Sequence, residues 1–222
     1  MITTIHCVIL LHGLGRTSQS MNSIARALKQ DSYVVVNHSY PSRKKSIEVL
    51  AEEVVDNSIR ECRQLGATRI DIVTHSMGGI LVRQYLQTHQ VPELKRLVML
   101  GPPNHGSEIS SLYKNKRWYR WFTGHAGQQL HTGTDSLPNQ LKPLTSVEIG
   151  VIAGTRSIDP WFSSRIPAPH DGKVSVASTR LAEMKDFIAV PYSHTFMANA
   201  PVVVRQIKYF LQQGGFDHHL ND

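Results

Sequence analysis

The hydrophobic residues of this chain occur in short continuous runs, separated by segments in which apolar residues recur every three or four positions. Continuous apolar runs of this kind are typical of strands buried on both faces of a parallel sheet. The runs lie at residues 7–11, 33–36, 70–73, 97–100, 147–154 and 187–190, with a further extended piece at 174–178. The helical segments lie at residues 20–30, 46–65, from 79 onward and at 201–213. This alternation predicts an α/β protein with a mostly parallel sheet of about six strands and helices on both faces.

The length and composition of the chain fit a single domain over residues 1–222. The chain has 222 residues, of which 41% are hydrophobic, and a domain commonly has about 100–200 residues. Residues 108–146 break the alternation of strands and helices. Connections of this length are uncommon unless they are functional, so we interpret this segment as an insertion that could form a lid or cap.

Basic and aromatic residues are concentrated together at residues 114–122, in a chain whose formal net charge is +7. Aromatic rings favour the boundary between water and lipid, and basic side chains favour anionic lipid. The segment therefore predicts either a peripheral contact with a lipid interface or a helix whose aromatic residues pack on the domain. No nucleic-acid-binding motif accompanies the charge, so a nucleic-acid partner is not expected.

The two cysteines, Cys7 and Cys62, form neither a disulfide framework nor a metal-ligand spacing. Both are therefore predicted to pack as small apolar residues. The first residues lack the basic segment and the small-residue cleavage site of a signal peptide. No apolar run reaches the roughly 20 residues that span a bilayer. The expected location is the cytoplasm.

A strand, a sharp turn and a helix follow one another directly at residues 69–80. The turn reads Thr-His-Ser-Met-Gly, the pattern of a nucleophile elbow that presents the hydroxyl of Ser76 above the edge of the sheet. Gly78 allows the strand and the helix to pass close together, whereas Thr74 stands where the pattern usually has a glycine. The peptide N–H of Met77, at the start of the helix, is placed to bind a developing oxyanion.

Further candidate catalytic residues follow later predicted strands. His194 lies after the last strand, and Asp171 and Asp159 lie in the preceding loop region. Because catalytic groups collect at the carboxyl ends of parallel strands, we expect such residues to meet Ser76 at one edge of the sheet. A serine hydroxyl needs an adjacent base near neutral pH, a histidine can supply it, and a carboxylate orients the histidine.

With these motifs the chain resembles the lipase/esterase branch of the α/β-hydrolase superfamily, over nearly its whole length outside the insertion. The order nucleophile, acid, histidine is the order of that superfamily. The resemblance implies that Ser76 is the nucleophile and His194 the base. It implies that Asp171 is the acid, because this residue lies in an Asp-Gly-x-Val segment similar to the one that carries the acid in lipases. Asp159 is the alternative acid.

The segment His-Gly-Leu after the first strand resembles the oxyanion loop of the same enzymes. The resemblance implies that the N–H of Leu14 is a second oxyanion donor beside that of Met77. It also implies that His12, Gly13 and His75 lie at the substrate. For His12, a role as a buried histidine that shapes the loop is favoured over direct catalysis. No metal or cofactor is expected.

The expected activity is cleavage of carboxylic esters through an acyl-enzyme intermediate. A lipid or other hydrophobic acyl ester is favoured because of the aromatic segment at residues 114–122. Hydrolysis of thioesters or amides and acyl transfer use the same groups, so these alternatives stay open. A non-catalytic binding protein with this fold is a further alternative, and the sequence leaves the oligomeric state open.

Overall fold

Six strands in the described part of the chain form one parallel sheet. The computed structural model describes residues 5–158 and 164–219. The strands are β1 (His6–Leu11), β2 (Val34–Val36), β3 (Arg69–His75), β4 (Leu94–Leu100), β5 (Glu148–Gly154) and β6 (Asp186–Val190). Their order is β2-β1-β3-β4-β5-β6, and all neighbouring strands are parallel. The predicted fold class is confirmed.

The helices connect these strands and cover the sheet. They are α1 (Asn22–Gln30), α2 (Ile47–Leu50), α3 (Asp56–Gln64), α4 (Met77–Tyr85), α5 (Glu108–Tyr113), α6 (Arg117–Gln128), α7 (Leu137–Gln140), α8 (Val176–Thr179) and α9 (Pro201–Gln213). The predicted last helix has the same bounds as α9. The predicted helix at residues 46–65 occurs as α2 and α3, joined by the π-helical segment Ala51–Val55. Ser46 caps it, since its side chain accepts a hydrogen bond from Val49 N.

Alternate residues of the central strands point to opposite faces of the sheet, which gives the protein two apolar layers. On one face, Ile9 and Leu11 of β1 pack with α2, α3 and α4. On the other face, Val8 and Leu10 pack with α1 and α9. These four side chains are at most 1% exposed. Helices therefore lie on both faces, as predicted.

The strand order reverses at β1 and β3, and this reversal defines where a ligand can bind. From β1 the chain moves outward to β2 and then returns to β3 on the other side of β1. The loops that leave the carboxyl ends of β1 and β3 therefore diverge and open a crevice between them. Residues 13–16 and Ser76 border this crevice.

The prediction of an extended piece at residues 174–178 is wrong, because most of these residues belong to the short helix α8. Ser175 caps this helix, and its Oγ accepts a hydrogen bond from Ser178 N at 3.2 Å. The alternation of valine and serine is compatible with a strand, but a serine is also among the best residues for a helix N-cap. The local cap decides the structure here.

The prediction that the two cysteines pack as separate apolar residues is also wrong, since Cys7 and Cys62 form a disulfide bond. Cys7 lies in β1 and Cys62 in α3, and both are fully buried. The Cα atoms are 5.9 Å apart although the residues are 55 positions apart in sequence. Disulfide bonds persist mainly in oxidising compartments. The bond therefore weighs against the expected cytoplasmic location.

Residues 108–146 contain three of the described helices, α5, α6 and α7. Several of their residues are buried, including Tyr119, Ala126 and Leu130, so the segment packs on the rest of the protein. Within the described ranges, no helix has both the length and the apolar character needed to cross a membrane.

The disulfide should stabilise the fold, because it closes a loop with a sequence separation of 55. Loop entropy assigns about 4 kcal/mol to a loop of this length. Reduction of the wild-type protein should lower its free energy of unfolding by up to about 4 kcal/mol, measured by urea denaturation with and without a reductant. The variant Cys7→Ala/Cys62→Ala should not respond to the reductant. Two titratable thiols in the denatured, unreduced protein would contradict the bond.

Candidate active site

Ser76 lies at the sharp turn between β3 and α4. Its backbone has φ 53° and ψ −124°, and positive φ is uncommon for residues other than glycine. The peptide N–H of Ser76 donates to Leu100 O at 2.8 Å, which ties the turn to β4. The side chain of Ser76 is partly exposed, whereas His75 and Met77 on either side are buried. The turn has the geometry of the predicted elbow and presents one hydroxyl outward.

Helix α4 passes so close to the end of β1 that residue 78 must be glycine. A Cβ atom at Gly78 would lie 2.7 Å from Leu11 O and 3.1 Å from His12 O, and backbone atoms cannot yield easily. Thr74 stands where such elbows usually have a glycine. It is fully buried, and its hydroxyl donates to Val98 O at 3.5 Å. A β-branched residue suits this position because it still belongs to β3.

The imidazole of His194 is held by the carboxylate of Asp171. His194 Nδ1–H donates to Asp171 Oδ2 at 2.6 Å. Asp171 Oδ1 accepts from the peptide N–H groups of Lys173 and Val174, each at 2.9 Å. A backbone bond of 3.0 Å from His194 N to Asp171 O adds a second link. The ring is thereby oriented with Nε2 left for another partner. The alternative acid, Asp159, lies outside the described residues.

The Asp171 carboxylate is negatively charged despite being only 1% exposed. Burial raises the pKa of this carboxyl, but the charge and hydrogen bond of His194 and the two peptide N–H groups together lower the pKa below its ordinary value. A negative carboxylate at this position stabilises the imidazolium that forms when His194 accepts a proton.

Gly101, at the end of β4, makes room for this pair. It has φ +51°, and a Cβ atom there would lie 2.9 Å from Asp171 Oδ2 and 3.1 Å from His194 Nδ1. The N–H of Gly101 donates to Ile152 O at 2.8 Å, so the backbone is held in place. Gly101 is a site residue that the sequence pattern does not indicate. No local motif marks it, because its importance comes from side chains far along the chain.

His75 is buried behind His194. Its Nε2–H donates to His194 O at 2.9 Å, and the two ring centroids are 4.8 Å apart. Burial, with the charge of His194 as the second cause, lowers the pKa of His75 to about 3, so this ring is neutral near pH 7. Its Nδ1 has no hydrogen-bond partner among the described residues. His75 both lines the cavity described below and supports the loop that carries His194.

His12 lies behind the loop that follows β1, and it is not among the described residues that line the cavity. It is fully buried, and its ring stacks on Tyr40 with centroids 3.9 Å apart. Its Nε2 accepts from Tyr40 N at 3.1 Å, and its Nδ1–H donates to Gly13 O at 2.8 Å. The Tyr40 hydroxyl donates to His12 O. Burial lowers the pKa of His12, which keeps the ring neutral in this role. The structure thus favours the alternative in which His12 shapes the loop.

The two peptide N–H groups predicted to bind an oxyanion belong to Leu14 and Met77. Neither donates a hydrogen bond to an acceptor within the described residues. Met77 is the first residue of α4, where the helix dipole favours negative charge. Gly13 lies directly against the serine, since a Cβ atom there would be 3.1 Å from Ser76 Cβ. Free N–H groups beside a serine hydroxyl are suited to stabilising a tetrahedral oxyanion.

A cavity of about 510 Å³ opens above this cluster. Its volume lies within the range of about 300–1,000 Å³ that is usual for small-molecule sites. Its apolar walls are formed by Leu14, Pro103, Ile109, Trp118, Tyr119, Phe122, Leu130 and Val174. Arg16 and Lys173 also line it, and none of the lining residues that the structure describes is an Asp or a Glu. The cavity therefore suits a substrate with an extended apolar group.

Ser76 and His194 both line this cavity, although no hydrogen bond joins their side chains in the described structure. Hydrogen bonds between catalytic groups are often long in a free enzyme and shorten when substrate binds. The described residues contain no group of three or more His, Cys, Asp or Glu side chains arranged to hold a metal ion. The chemistry available on this surface is therefore that of a serine with a neighbouring histidine.

The parallel sheet and the elbow at Ser76 define a lipase/esterase-like protein with the α/β-hydrolase fold. Comparison with solved structures agrees. The mature lipase BlEst2 of Bacillus licheniformis superimposes with a TM-score of 0.75 at 17% identity, covering 95% of this chain and 92% of that one. Phospholipase PlaB of Legionella pneumophila superimposes with a TM-score of 0.70 at 18% identity, covering 95% of this chain and 60% of that one. Aspergillus fumigatus lipase B superimposes with a TM-score of 0.67 at 15% identity, covering 98% of this chain and 55% of that one.

A family model described as palmitoyl protein thioesterase matches residues 7–136, more than half of the chain. The chain therefore belongs to the palmitoyl protein thioesterase family, a group of lipase/esterase-like hydrolases. The match includes Ser76 and the loop after β1, whereas Asp171 and His194 follow it. No curated protein matches the sequence.

The close packing of Gly101 against the Asp171–His194 pair can be tested with a matched pair of variants. Gly101→Ala should displace the ring and abolish the low-field ¹H NMR resonance of the His194 Nδ1 proton. Gly66→Ala is the control, since Gly66 also has a positive φ of +80° but lies at the opposite end of the sheet. Both variants should lose about 1–2 kcal/mol of stability from the strained backbone. An unchanged resonance in folded Gly101→Ala would contradict the packing.

Proposed function

We propose that this protein is a serine hydrolase that cleaves hydrophobic acyl esters through an acyl-enzyme intermediate. Ser76 is the nucleophile, His194 the general base and Asp171 the acid that orients the histidine. The observation that carries the proposal is the 2.6 Å hydrogen bond from His194 Nδ1 to Asp171 Oδ2, at the cavity that Ser76 also lines. These groups come from loops after different strands, and their convergence beside a strained serine supports a catalytic role.

The reaction begins when His194 Nε2 accepts the proton of Ser76 as Oγ attacks the acyl carbonyl carbon. The N–H groups of Leu14 and Met77 donate hydrogen bonds to the oxygen that becomes negative. The tetrahedral intermediate then collapses, and the bond to the leaving group breaks as that group takes the proton from His194. Water attacks the acyl-Ser76 ester by the same proton relay, which releases the carboxylic acid and restores the hydroxyl. No cofactor or metal takes part.

The walls of the cavity support a long acyl chain as the part of the substrate that is bound. Residues 108–146 supply much of the apolar wall through Ile109, Trp118, Tyr119 and Phe122. In this proposal the segment is the cap of the acyl site. Burial of each methylene contributes about 0.8 kcal/mol, which makes chain length the main source of affinity.

A thioester is the second candidate for the bond that is cleaved, and the family to which the chain belongs favours it. The same nucleophile, base and oxyanion donors act on both kinds of bond. A thiolate leaves more readily than an alkoxide, so the leaving group makes less demand on protonation by His194. Amide hydrolysis and acyl transfer would use the same groups, but no feature of the site favours them. A non-catalytic binding protein would have no need of the buried Asp171–His194 pair.

Two substitutions test the assigned roles. Ser76→Ala should abolish hydrolysis of p-nitrophenyl esters, because no other group can form the acyl-enzyme, while thermal unfolding stays nearly unchanged. Asp171→Asn should lower kcat by roughly 10⁴, since the wrong tautomer of the histidine is then stabilised. A wild-type kcat in Asp171→Asn would show that Asp171 does not orient the histidine. Hydrolysis by Ser76→Ala would show that Ser76 is not the nucleophile.

The acyl preference can be measured with two matched series, p-nitrophenyl oxyesters and alkyl thioesters of equal acyl chains. In both series kcat/KM should rise by roughly fourfold per methylene, the equivalent of about 0.8 kcal/mol, until the cavity is filled. Thioesters that are turned over much faster than oxyesters of the same length would favour the second candidate. Rates independent of chain length would contradict the proposed acyl site.

A further inference from the structure

Three neighbouring aromatic side chains near the start of α6 are exposed to solvent. Trp121 is 86% exposed, Phe122 56% and Trp118 54%. They lie within an arc of about 100° on the helix, because successive helical residues are rotated by about 100°. Tyr119 and Thr123, on the opposite side of the helix, are buried against the protein. The helix thus carries a second apolar face whose three aromatic side chains are each more than half exposed.

This aromatic face is continuous with the mouth of the acyl cavity. Trp118 and Phe122 line the cavity as well as forming part of the exposed face. A further apolar side chain, Phe196, is 55% exposed and follows Thr195, which also lines the cavity. A surface that covered the aromatic face would therefore lie directly over the cavity opening. Exposed apolar patches of this kind usually mark an interaction site.

Positive charge accompanies the aromatic face. Residues 109–134 contain no Asp or Glu. The basic residues of this segment are Lys114, Lys116, Arg117 and Arg120. Arg117 adjoins Trp121 on the helix, whereas Arg120 lies about 150° from the centre of the aromatic face. Within the described residues, none of these four forms an ion pair. The guanidinium of Arg43 adds a further cation 5.7 Å from the centre of the Phe122 ring. The positive charge around the face is therefore not compensated locally.

We propose that this face, formed by Trp118, Trp121 and Phe122 together with the neighbouring basic residues Lys114, Lys116 and Arg117, docks the protein onto bilayers that contain anionic lipids. The aromatic rings enter the boundary between headgroups and acyl chains, where such rings are most stable. The basic side chains meet the anionic headgroups. Because the cavity opens at this face, an acyl chain can pass from the bilayer to the catalytic serine without crossing water.

Two other occupants fit the face less well. A second copy of the chain would bring the same positive charges to the interface, and like charges repel. A nucleic acid would satisfy the charges, but its bases would lie over an apolar cavity with which they make no hydrogen bonds. The anionic bilayer matches the charge, the aromatic face and the cavity together.

Sedimentation with vesicles tests the docking. The full chain carrying Ser76→Ala should be used beside the wild type, so that lipid is not consumed during the measurement. Binding should be strong to vesicles of phosphatidylcholine mixed with phosphatidylglycerol and weak to phosphatidylcholine alone. It should weaken as salt is added, because screening shortens the range of the attraction.

The charge contribution is measured with Lys116→Gln/Arg117→Gln. This variant should bind the anionic vesicles roughly tenfold or more weakly, and its binding to phosphatidylcholine should not change. The matched control is Arg26→Gln/Lys29→Gln, which removes two exposed charges from α1. Equal losses in the variant and the control would show that net charge alone drives binding and would overturn the assigned surface.

The aromatic contribution is measured with Trp121→Ala, which should weaken binding to both kinds of vesicle by roughly tenfold. Leu65→Ala is the matched control, since Leu65 is 48% exposed at the opposite end of the sheet. Trp121→Ala is a solvent-exposed change and should leave thermal unfolding unaltered.

Failure to bind anionic vesicles would overturn the docking proposal, as would binding to a single-stranded oligonucleotide or to a second copy of the chain in its place. The test of docking is independent of the proposed hydrolysis. Vesicle binding is measured without turnover, and hydrolysis of soluble short-chain esters needs no membrane. A failure of vesicle binding therefore does not contradict the proposed hydrolysis, and a failure of hydrolysis does not contradict the proposed docking.

Discussion

The backbone of Ser76, with φ 53°, costs free energy of order 1–3 kcal/mol that the surrounding packing must offset. The offset comes from β3 and α4, whose side chains Ile72, Val73, Ile80 and Leu81 are fully buried. Each such side chain contributes about 1.5–3 kcal/mol on burial. The packing on both sides of the turn therefore exceeds the strain several times over, and it holds the hydroxyl of Ser76 outward.

The second requirement of the site is that a carboxylate stays charged although it is buried. Asp171 remains ionised because His194 and two peptide N–H groups replace the water that burial removes. His75 remains neutral for the opposite reason, since its burial disfavours the charged form. His194 contacts the carboxylate, whereas His75 lies behind His194. The two histidines therefore have different roles although their rings are close. The cavity that His75 and His194 line also carries the apolar wall on which the proposed acyl site rests.

The features that could be predicted from the sequence are those that depend on local order along the chain. The elbow at Ser76 is a single strand–turn–helix unit, and the parallel sheet follows from the repeated apolar runs. Gly101, the stacking of Tyr40 on His12 and the disulfide between the cysteines depend on residues far apart in sequence that the fold brings together. No periodicity or spacing marks them. The short helix α8 was missed because an alternating pattern and a serine cap favour different structures at the same residues.

The central claim is that the hydroxyl at position 76, the imidazole at 194 and two free amide groups act on one acyl carbon. A crystal structure of the protein after reaction with an alkyl phosphonate tests this claim most directly. We expect phosphorus bonded to Ser76 Oγ, with its phosphoryl oxygen accepting hydrogen bonds from the N–H groups of Leu14 and Met77, and with His194 Nε2 facing Oγ. Phosphonate bonded to another residue, or an imidazole turned away from the adduct, would contradict the account.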